Sequence, residues 1–197
     1  MKRLVSAILC SLMFMSFNSY AEETLTIEKQ LVGIVGAISG TVKTETRELK
    51  AGDQIYLNET IYAGPGSGTQ ILLLDQSTFT VGEDSEVVMD TFIYDPETND
   101  GKFVSNIKSG TIKIITGKIS KKDPDNLEIK IPTGAIGARG TEFVVLANSK
   151  NENTVLLLGP GPNNSLGMTP GNLEVTDGVN SCLLYTSDAA DDSLRVD

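Results

Sequence analysis

The residues of this sequence best suited to chemistry lie in a glycine-rich stretch that carries one arginine. Residues 131–143 read Ile-Pro-Thr-Gly-Ala-Ile-Gly-Ala-Arg-Gly-Thr-Glu-Phe, with Arg139 between small residues just before a strand-like run. Glycine permits positive φ angles or close backbone approach, and a guanidinium offers five hydrogen-bond donors. Arg139 could therefore bridge loop carbonyls or bind a carboxylate of a partner. We favour the structural role, because backbone groups in turns need hydrogen-bond partners.

Carboxylates offer the next chemistry, but their spacing does not assemble a catalytic or metal site. Asp53 and Asp75 lie in separate turn-like clusters, and aspartates in turns usually accept hydrogen bonds from their own backbone. The loop 95–100 has several carboxylates, yet it departs from the EF-hand pattern because Asn106 stands at its twelfth position instead of Glu. We predict no catalytic residue, no metal site and no cofactor.

The composition excludes several classes of function. The chain has 197 residues and no His, so Ser-His-Asp, Cys-His and His-containing zinc sites are all missing a member. With 16 basic and 26 acidic side chains the net charge is −10. Such an acidic field repels phosphate backbones and anionic headgroups, so we predict no nucleic-acid partner.

Both ends of the sequence require separate treatment. Residues 1–21 have a basic start, an apolar stretch and small residues at Ser19 and Ala21, which is typical of a secretory signal peptide cleaved after Ala21. Residues 182–192 (Cys-Leu-Leu-Tyr-Thr-Ser-Asp-Ala-Ala-Asp-Asp) resemble the translation of a sequencing-library transposase adapter. We therefore divide the chain into a signal peptide (1–21), one domain (22–181) and an adapter-derived tail (182–197), with no membrane span after signal cleavage.

Between residues 24 and 176, short runs of Ile, Val, Leu and Thr alternate with Gly, Asn, Asp and Pro. Strand spacing of about 8–12 residues predicts an all-β fold, as a sandwich, barrel or solenoid. One helical turn is predicted at 117–122, a hairpin loop at 94–102 and a longer loop at 159–171. The predicted strands are 31–38, 41–44, 54–57, 60–63, 70–74, 78–81, 86–94, 102–107, 111–116, 127–131, 142–147, 154–158 and 172–176.

From about Val32 to Gly159 the sequence resembles the FecR domain family, the periplasmic domain of ferric-citrate-type signalling regulators and of many exported proteins. The most specific block is 137–143 (Gly-Ala-Arg-Gly-Thr-Glu-Phe). The motif residues that we assign to the family, with a structural role, are Gly52, Asp53, Gly137, Arg139, Gly140 and Thr141. The other matching residues are Gly40-Thr41-Val42, Leu49, Gln54-Ile55, Ile61, Ala63-Gly64, Ser67, Leu72, Asp75, Ser77, Val81-Gly82, Ser85 and Gly110-Thr111-Ile112.

The resemblance implies an elongated, twisted β-helix-like or sandwich architecture, here of about 12 short strands. A weak internal repeat is compatible with it, because Gly40-Thr41 and Gly110-Thr111 each start a strand about 24 residues before a glycine turn, at Gly64 and Gly134. Two features depart from the family. Gln76 stands where the family usually has Gly, and a signal peptide replaces the cytoplasmic anti-sigma segment and membrane helix.

These features favour a non-enzymatic FecR-like protein, periplasmic or secreted, that binds an envelope protein or a surface component. Its recognition surface would be an exposed strand edge or the row of turns. The alternative is a secreted module that binds cell-wall or surface polysaccharide, which would gather Tyr56, Tyr62 and Tyr94 on one face although the chain has no Trp. A hydrolase would need a pair of carboxylates in one pocket.

Overall fold

Most of the described residues lie in β-strands and very few lie in helices, which confirms the all-β prediction. The computed structural model describes residues 29–148, 152–159 and 170–186, together with the backbone of 193–196. The predicted signal peptide and most of the predicted loop 159–171 lie outside the described residues. The strands are β1 (Leu31–Ser39), β2 (Val42–Lys43), β3 (Gln54–Tyr56), β4 (Thr60–Ala63), β5 (Gly68–Leu73), β6 (Thr78–Val81), β7 (Ser85–Tyr94), β8 (Gly101–Ile115), β9 (Leu127–Ile131), β10 (Gly134–Arg139), β11 (Glu142–Ala147), β12 (Asn153–Leu158), β13 (Asn172–Thr176), β14 (Ser181–Tyr185) and β15 (Ser193–Val196).

Two short helical segments interrupt the strands after β8. The predicted helical turn is confirmed as α1 (Lys118–Lys122), and a 3-10 turn (Pro124–Asn126) follows it. The predicted hairpin loop is also confirmed, because β7 ends at Tyr94 and β8 begins at Gly101. Asp123 ends α1 with an extended backbone, as expected before a proline.

The long strand β8 divides the hydrogen-bonded network into two sheets. Sheet A has the order β3-β1-β5-β6-β8-β11-β12-β15 and contains the C-terminal part of β8. Sheet B has the order β2-β4-β7-β8-β9-β10-β13-β14 and contains the N-terminal part. Among the described strands every pairing is antiparallel except that of β8 with β9.

The chain passes repeatedly from one sheet to the other as it advances. β1 lies in sheet A, β2 in sheet B, β3 in sheet A and β4 in sheet B, and the later strands alternate in pairs. Two sheets that enclose one core form a sandwich, which is one of the two expected architectures. The 13 predicted strand ranges correspond to 12 of the 15 described strands, because two of them are parts of β8, and β10, β14 and β15 were not predicted.

Two predicted boundaries are wrong within the described chain. The predicted strands 102–107 and 111–116 are one strand, β8, that bends at Gly110. Odd-numbered residues such as Phe103 and Ile107 face the core before the bend, and even-numbered residues such as Ile112 do so after it. The glycine-rich stretch that we expected to be a turn before a strand is itself largely β10, which pairs on both sides.

The core lies between the two sheets and joins them through aromatic contacts. The ring of Phe79 in sheet A meets that of Phe103 in sheet B with centroids 5.3 Å apart, and Phe92 meets Phe103 at 5.6 Å. A register shift between Met89 and Thr91 changes the phase of β7, so that Phe92 points inward. All three rings are fully buried and belong to a core cluster that extends over both sheets.

A charged turn joins β13 to β14. The Asp177 carboxylate accepts hydrogen bonds from the backbone N–H groups of Asn180 and Val179, at 2.6 and 2.7 Å. These bonds lower the pKa of Asp177 to about 2. Since the folded pKa lies below the ordinary value of 3.8, the turn is favoured above that pH and loses this support only as the pH falls through 2.

Candidate functional site

The first crossover between the sheets is built by Gly40 and Thr41. The Thr41 N–H donates to Ser67 Oγ at 2.9 Å, and the Gly64 N–H donates to the Thr41 carbonyl at 3.1 Å. Gly40 has a φ of 69°, and a Cβ at this position would overlap the Ser67 side chain. Glycine is therefore required here by both backbone angle and space.

The same arrangement recurs where β8 bends from sheet B into sheet A. The Thr111 N–H donates to Ser85 Oγ at 3.1 Å, and the Gly82 N–H donates to the Thr111 carbonyl at 2.8 Å. Gly110 has a φ of 97° and packs directly on Ser85. The internal repeat is thus real, but the glycine that completes its second copy is Gly82 and not Gly134.

The crossover from β10 to β11 contains Gly140 and Thr141 of the family motif. Gly140 has a φ of 57°, and the Thr141 N–H donates to Thr116 Oγ1 at 2.8 Å. The Thr116 N–H returns a hydrogen bond to the Thr141 carbonyl at 3.0 Å. Thr141 Oγ1 is buried and has no hydrogen-bond partner among the described residues. These two motif residues hold the turn between the sheets.

Gly52 and Asp53 occupy a separate turn before β3. Gly52 has a φ of 90°, and the Asp53 carboxylate accepts the Lys50 N–H at 2.8 Å. The Asp53 carbonyl accepts the Val35 N–H at 2.9 Å, which attaches the turn to β1. Asp75 instead lies buried in the β5–β6 turn, where it accepts two hydrogen bonds from Ser77. Each aspartate thus bonds within its own turn, and the two do not form a shared site.

Replacing Gln76 with glycine should stabilise the protein. Gln76 has a φ of 69°, and the left-handed region costs a non-glycine residue roughly 1–2 kcal/mol, against about 0.5–1 kcal/mol of extra backbone entropy lost by glycine. We expect Gln76→Gly to raise the free energy of unfolding by about 1 kcal/mol in urea denaturation with an unchanged m value. Gln76→Ala retains the unfavourable angle and should give no such gain. If Gln76→Gly were less stable than the native chain, the left-handed backbone angle could not explain why the family usually has glycine at this position.

The other two motif residues, Gly137 and Arg139, lie on the outer face of sheet B. Alternation along β10 turns Ile136 and Ala138 into the core, and Ala135, Gly137 and Arg139 outward. These outward residues form the floor and one end of an open groove of about 320 Å³ between the side chains of β9 and β13, and its lining also includes Asp125 of the 3-10 turn and Leu183 of β14. We call it the β10 groove. Its volume is at the low end for ligand pockets, so it suits one or two side chains better than a cofactor.

Charged side chains surround Gly137 on three sides. Glu128 of β9 and Glu174 of β13 are its direct cross-strand neighbours, and Arg139 follows two residues along β10. None of these three charged groups has a hydrogen bond or ion pair with another residue in the described part of the chain. By contrast, the nearby Lys130 pairs with Asp90 at 3.3 Å.

The sequence located only part of this groove. It singled out Gly137 and Arg139, but it placed Arg139 in a turn where the guanidinium would bridge carbonyls, and no such bridge exists among the described residues. It missed Glu128 and Glu174 altogether. The alternation in Leu127–Ile131 could have shown that Glu128 faces outward, but the pairing that brings Glu174 beside it has no local signal.

The structure does not bring Tyr94 together with the other two tyrosines proposed for a sugar platform. Tyr62 pairs with Glu86 near the start of β7, while Tyr94 is the last residue of that strand, so roughly 26 Å separates the two positions along it. The Tyr94 hydroxyl donates to Asn99 within its own hairpin loop at 2.9 Å. Tyr56 lies at the edge of sheet A beside Arg47, with 5.8 Å from the guanidinium to the ring centre.

Two further searches of the described residues were negative. No group of three or more Cys, Asp or Glu residues there could hold a metal ion. No helix in that part of the chain is long and apolar enough to cross a membrane.

Comparison with known proteins identifies the family. Residues 59–159 match the family described as FecR protein, and the chain belongs to this family. It is thus a FecR-like regulatory protein, and this family is not known for enzymes. No curated protein matches the sequence.

Solved structures with a similar arrangement are more distant. Two crystal structures of a proposed anti-sigma factor from Parabacteroides distasonis align with TM-scores of 0.48 and 0.45, each at 12% identity. Each alignment covers 69% of this chain and 58% of the solved chain. The chain therefore matches less than two thirds of that protein's length.

Proposed function

We propose that this chain is an exported regulatory protein of the cell envelope that acts by binding another protein and not by catalysis. The family supports the regulatory role, and the pattern of residues 1–21 supports export to the periplasm or beyond. The acidic charge of the chain favours a protein partner over nucleic acid or an anionic membrane surface.

The observation that carries the proposal is the β10 groove. Arg139 and Glu174 are exposed and Glu128 is half-buried, so a partner's charges can reach all three without first breaking an ion pair within the described chain. Here Arg139 belongs to the most specific family motif and lies at the end of an open groove. The pair of carboxylates there lies on an open sheet face, whereas hydrolysis is favoured by a site that excludes bulk water.

A complementation experiment tests export and regulation together. Deleting the gene in its source cell should change the level of a discrete set of transcripts, and the full-length chain should restore them. A matched chain that starts at Glu22 after a new Met, and so lacks residues 2–21, should not restore them. Sequencing the N-terminus of the full-length product should give Glu22 first. Restoration by the leaderless chain, or unchanged transcripts after deletion, would refute the proposal.

The division of the chain at its C-terminal end is part of the same proposal. We propose that residues 22–181 are the FecR-like β domain and that 182–197 derive from an adapter. Residues 181–185 form β14 and pair with β13 in the structure. This pairing does not depend on where the codons came from, so the DNA itself must be tested. We expect that resequencing the source DNA across codon 181 gives different codons in place of those for residues 182–192. Recovery of the same codons would refute this interpretation.

A further inference from the structure

Gly137 is not required by the fold of this chain. Its φ lies outside the left-handed region, and a Cβ added there would come no closer than 3.9 Å to any other residue, the Leu127 carbonyl. At Gly134, in contrast, a Cβ would lie 2.9 Å from the carbonyl carbon of Thr176 and would overlap its oxygen. Glycine in the interior of a strand weakens it and often marks the close approach of a ligand or another backbone. The missing side chain at Gly137 therefore leaves room for something outside the described chain.

The charges around that space define what would fit it. Glu128 and Glu174 flank Gly137 in register, so their backbones lie about 10 Å apart across two strand spacings. A cation placed over Gly137 would meet a carboxylate on each side. Arg139 lies about 7 Å further along β10 and would meet an anion there.

We propose that the β10 groove binds an extended segment of a protein partner that carries Lys or Arg and, two residues along the same face, Asp or Glu. Side chains two apart in an extended chain are about 7 Å apart on one face, which equals the spacing of Gly137 and Arg139. The cation lies between Glu128 and Glu174, and the anion binds the Arg139 guanidinium. The backbone of the segment runs along β10 and passes over Gly137. This inference rests on the proposed protein-binding function and specifies its partner.

A peptide titration tests the charge pattern directly. The probes are the peptide acetyl-Thr-Val-Lys-Val-Glu-Val-Thr-amide, a version with Lys in place of its Glu, and a version with norleucine at both charged positions. Each is added to the purified, nitrogen-15-labelled full chain while the amide signals of β10 are followed. We expect the Lys-x-Glu peptide to bind at least tenfold more tightly than the norleucine peptide. Equal affinities would overturn the proposal.

Reversal of one charge gives the sharper test. In Arg139→Glu we expect the preference to invert, so that Lys-x-Lys binds more tightly than Lys-x-Glu. Arg139 is exposed, so the variant should fold as the native chain does. An unchanged preference in the folded variant would overturn the proposal. Dimerisation of the native chain that is lost in Arg139→Glu would also overturn it, because the groove would then bind a second copy of this chain.

Gly137→Val separates binding from folding. Because the space is open, we expect an unchanged melting temperature, or a rise of about 2 °C, together with at least a tenfold loss of affinity for the Lys-x-Glu peptide. Thr80→Val, on the outer face of sheet A, is the matched control and should retain binding. Undiminished affinity in a folded Gly137→Val would overturn the proposal. The peptide measurements require neither export nor regulation. Peptide binding can therefore be observed when complementation fails, and complementation can succeed when the peptide does not bind.

Discussion

Replacement of Gly110 with alanine should cost about 3 kcal/mol of the free energy of unfolding. The left-handed φ of 97° costs a residue with a Cβ roughly 1–2 kcal/mol, and forcing extra atoms into packed structure costs about 1–3 kcal/mol. The added Cβ would lie 2.6 Å from Ser85 Cβ and would overlap the Ser85 backbone, which cannot move aside as a flexible side chain does. Urea denaturation of the full chain, with m compared between variants, measures the loss.

Gly52→Ala is the matched control for this prediction. Gly52 has a similar φ of 90°, but a Cβ there would meet nothing within 4 Å. Its cost should therefore be that of the backbone angle alone, about 1–2 kcal/mol. Equal losses at the two positions would show that the contact between Gly110 and Ser85 does not fix the bend of β8.

Local alternation was sufficient to predict most of the strands. In β9 the order Leu-Glu-Ile-Lys-Ile places every second residue in the core, and the predicted bounds 127–131 agree with the structure. The end of the helical turn α1 was also predictable, because Pro124 disfavours helix at the residue before it. Such signals depend only on residues that are close together in the chain, so they can be identified from the sequence alone.

The β10 groove could not be predicted in the same way. β10 contains Gly134 and Gly137, and glycine has low strand propensity, so the segment resembles a loop. It becomes a strand because β9 and β13 both pair with it, and β13 lies far along the chain. The juxtaposition of Glu128 and Glu174 is thus a property of tertiary pairing and not of local pattern.

The internal repeat was predicted correctly, but the glycine that bonds to its second copy was not. The Gly-Thr pairs at 40–41 and 110–111 do form equivalent crossovers, as the sequence suggested. The first is completed by a glycine later in the chain, Gly64, but the second is completed by the earlier Gly82. Hydrogen bonds between crossovers depend on which strands become neighbours, and equal sequence spacing does not determine that.

Removal of the Phe103 ring should be the most damaging change in the core. Phe103 is fully buried and contacts both Phe79 across the sandwich and Phe92 within sheet B. Deletion of a buried Phe side chain costs about 3–5 kcal/mol, and each edge-to-face pair contributes about 0.5–1.5 kcal/mol beyond its area. We expect Phe103→Ala to lower the free energy of unfolding by about 4 kcal/mol in urea denaturation.

Two further variants show whether that loss comes from the contact between the sheets. Phe103→Leu retains most of the buried volume but not the ring edges, so its loss should be about half as large. Ile93→Ala changes a side chain of β7 that is 59% exposed and should alter stability by no more than about 0.5 kcal/mol. If Phe103→Ala cost less than about 2 kcal/mol, the two sheets would not depend on this cluster. Their association would then rest on the other buried apolar residues and on the hydrogen-bonded crossovers, and Gly110→Ala would become the more damaging change.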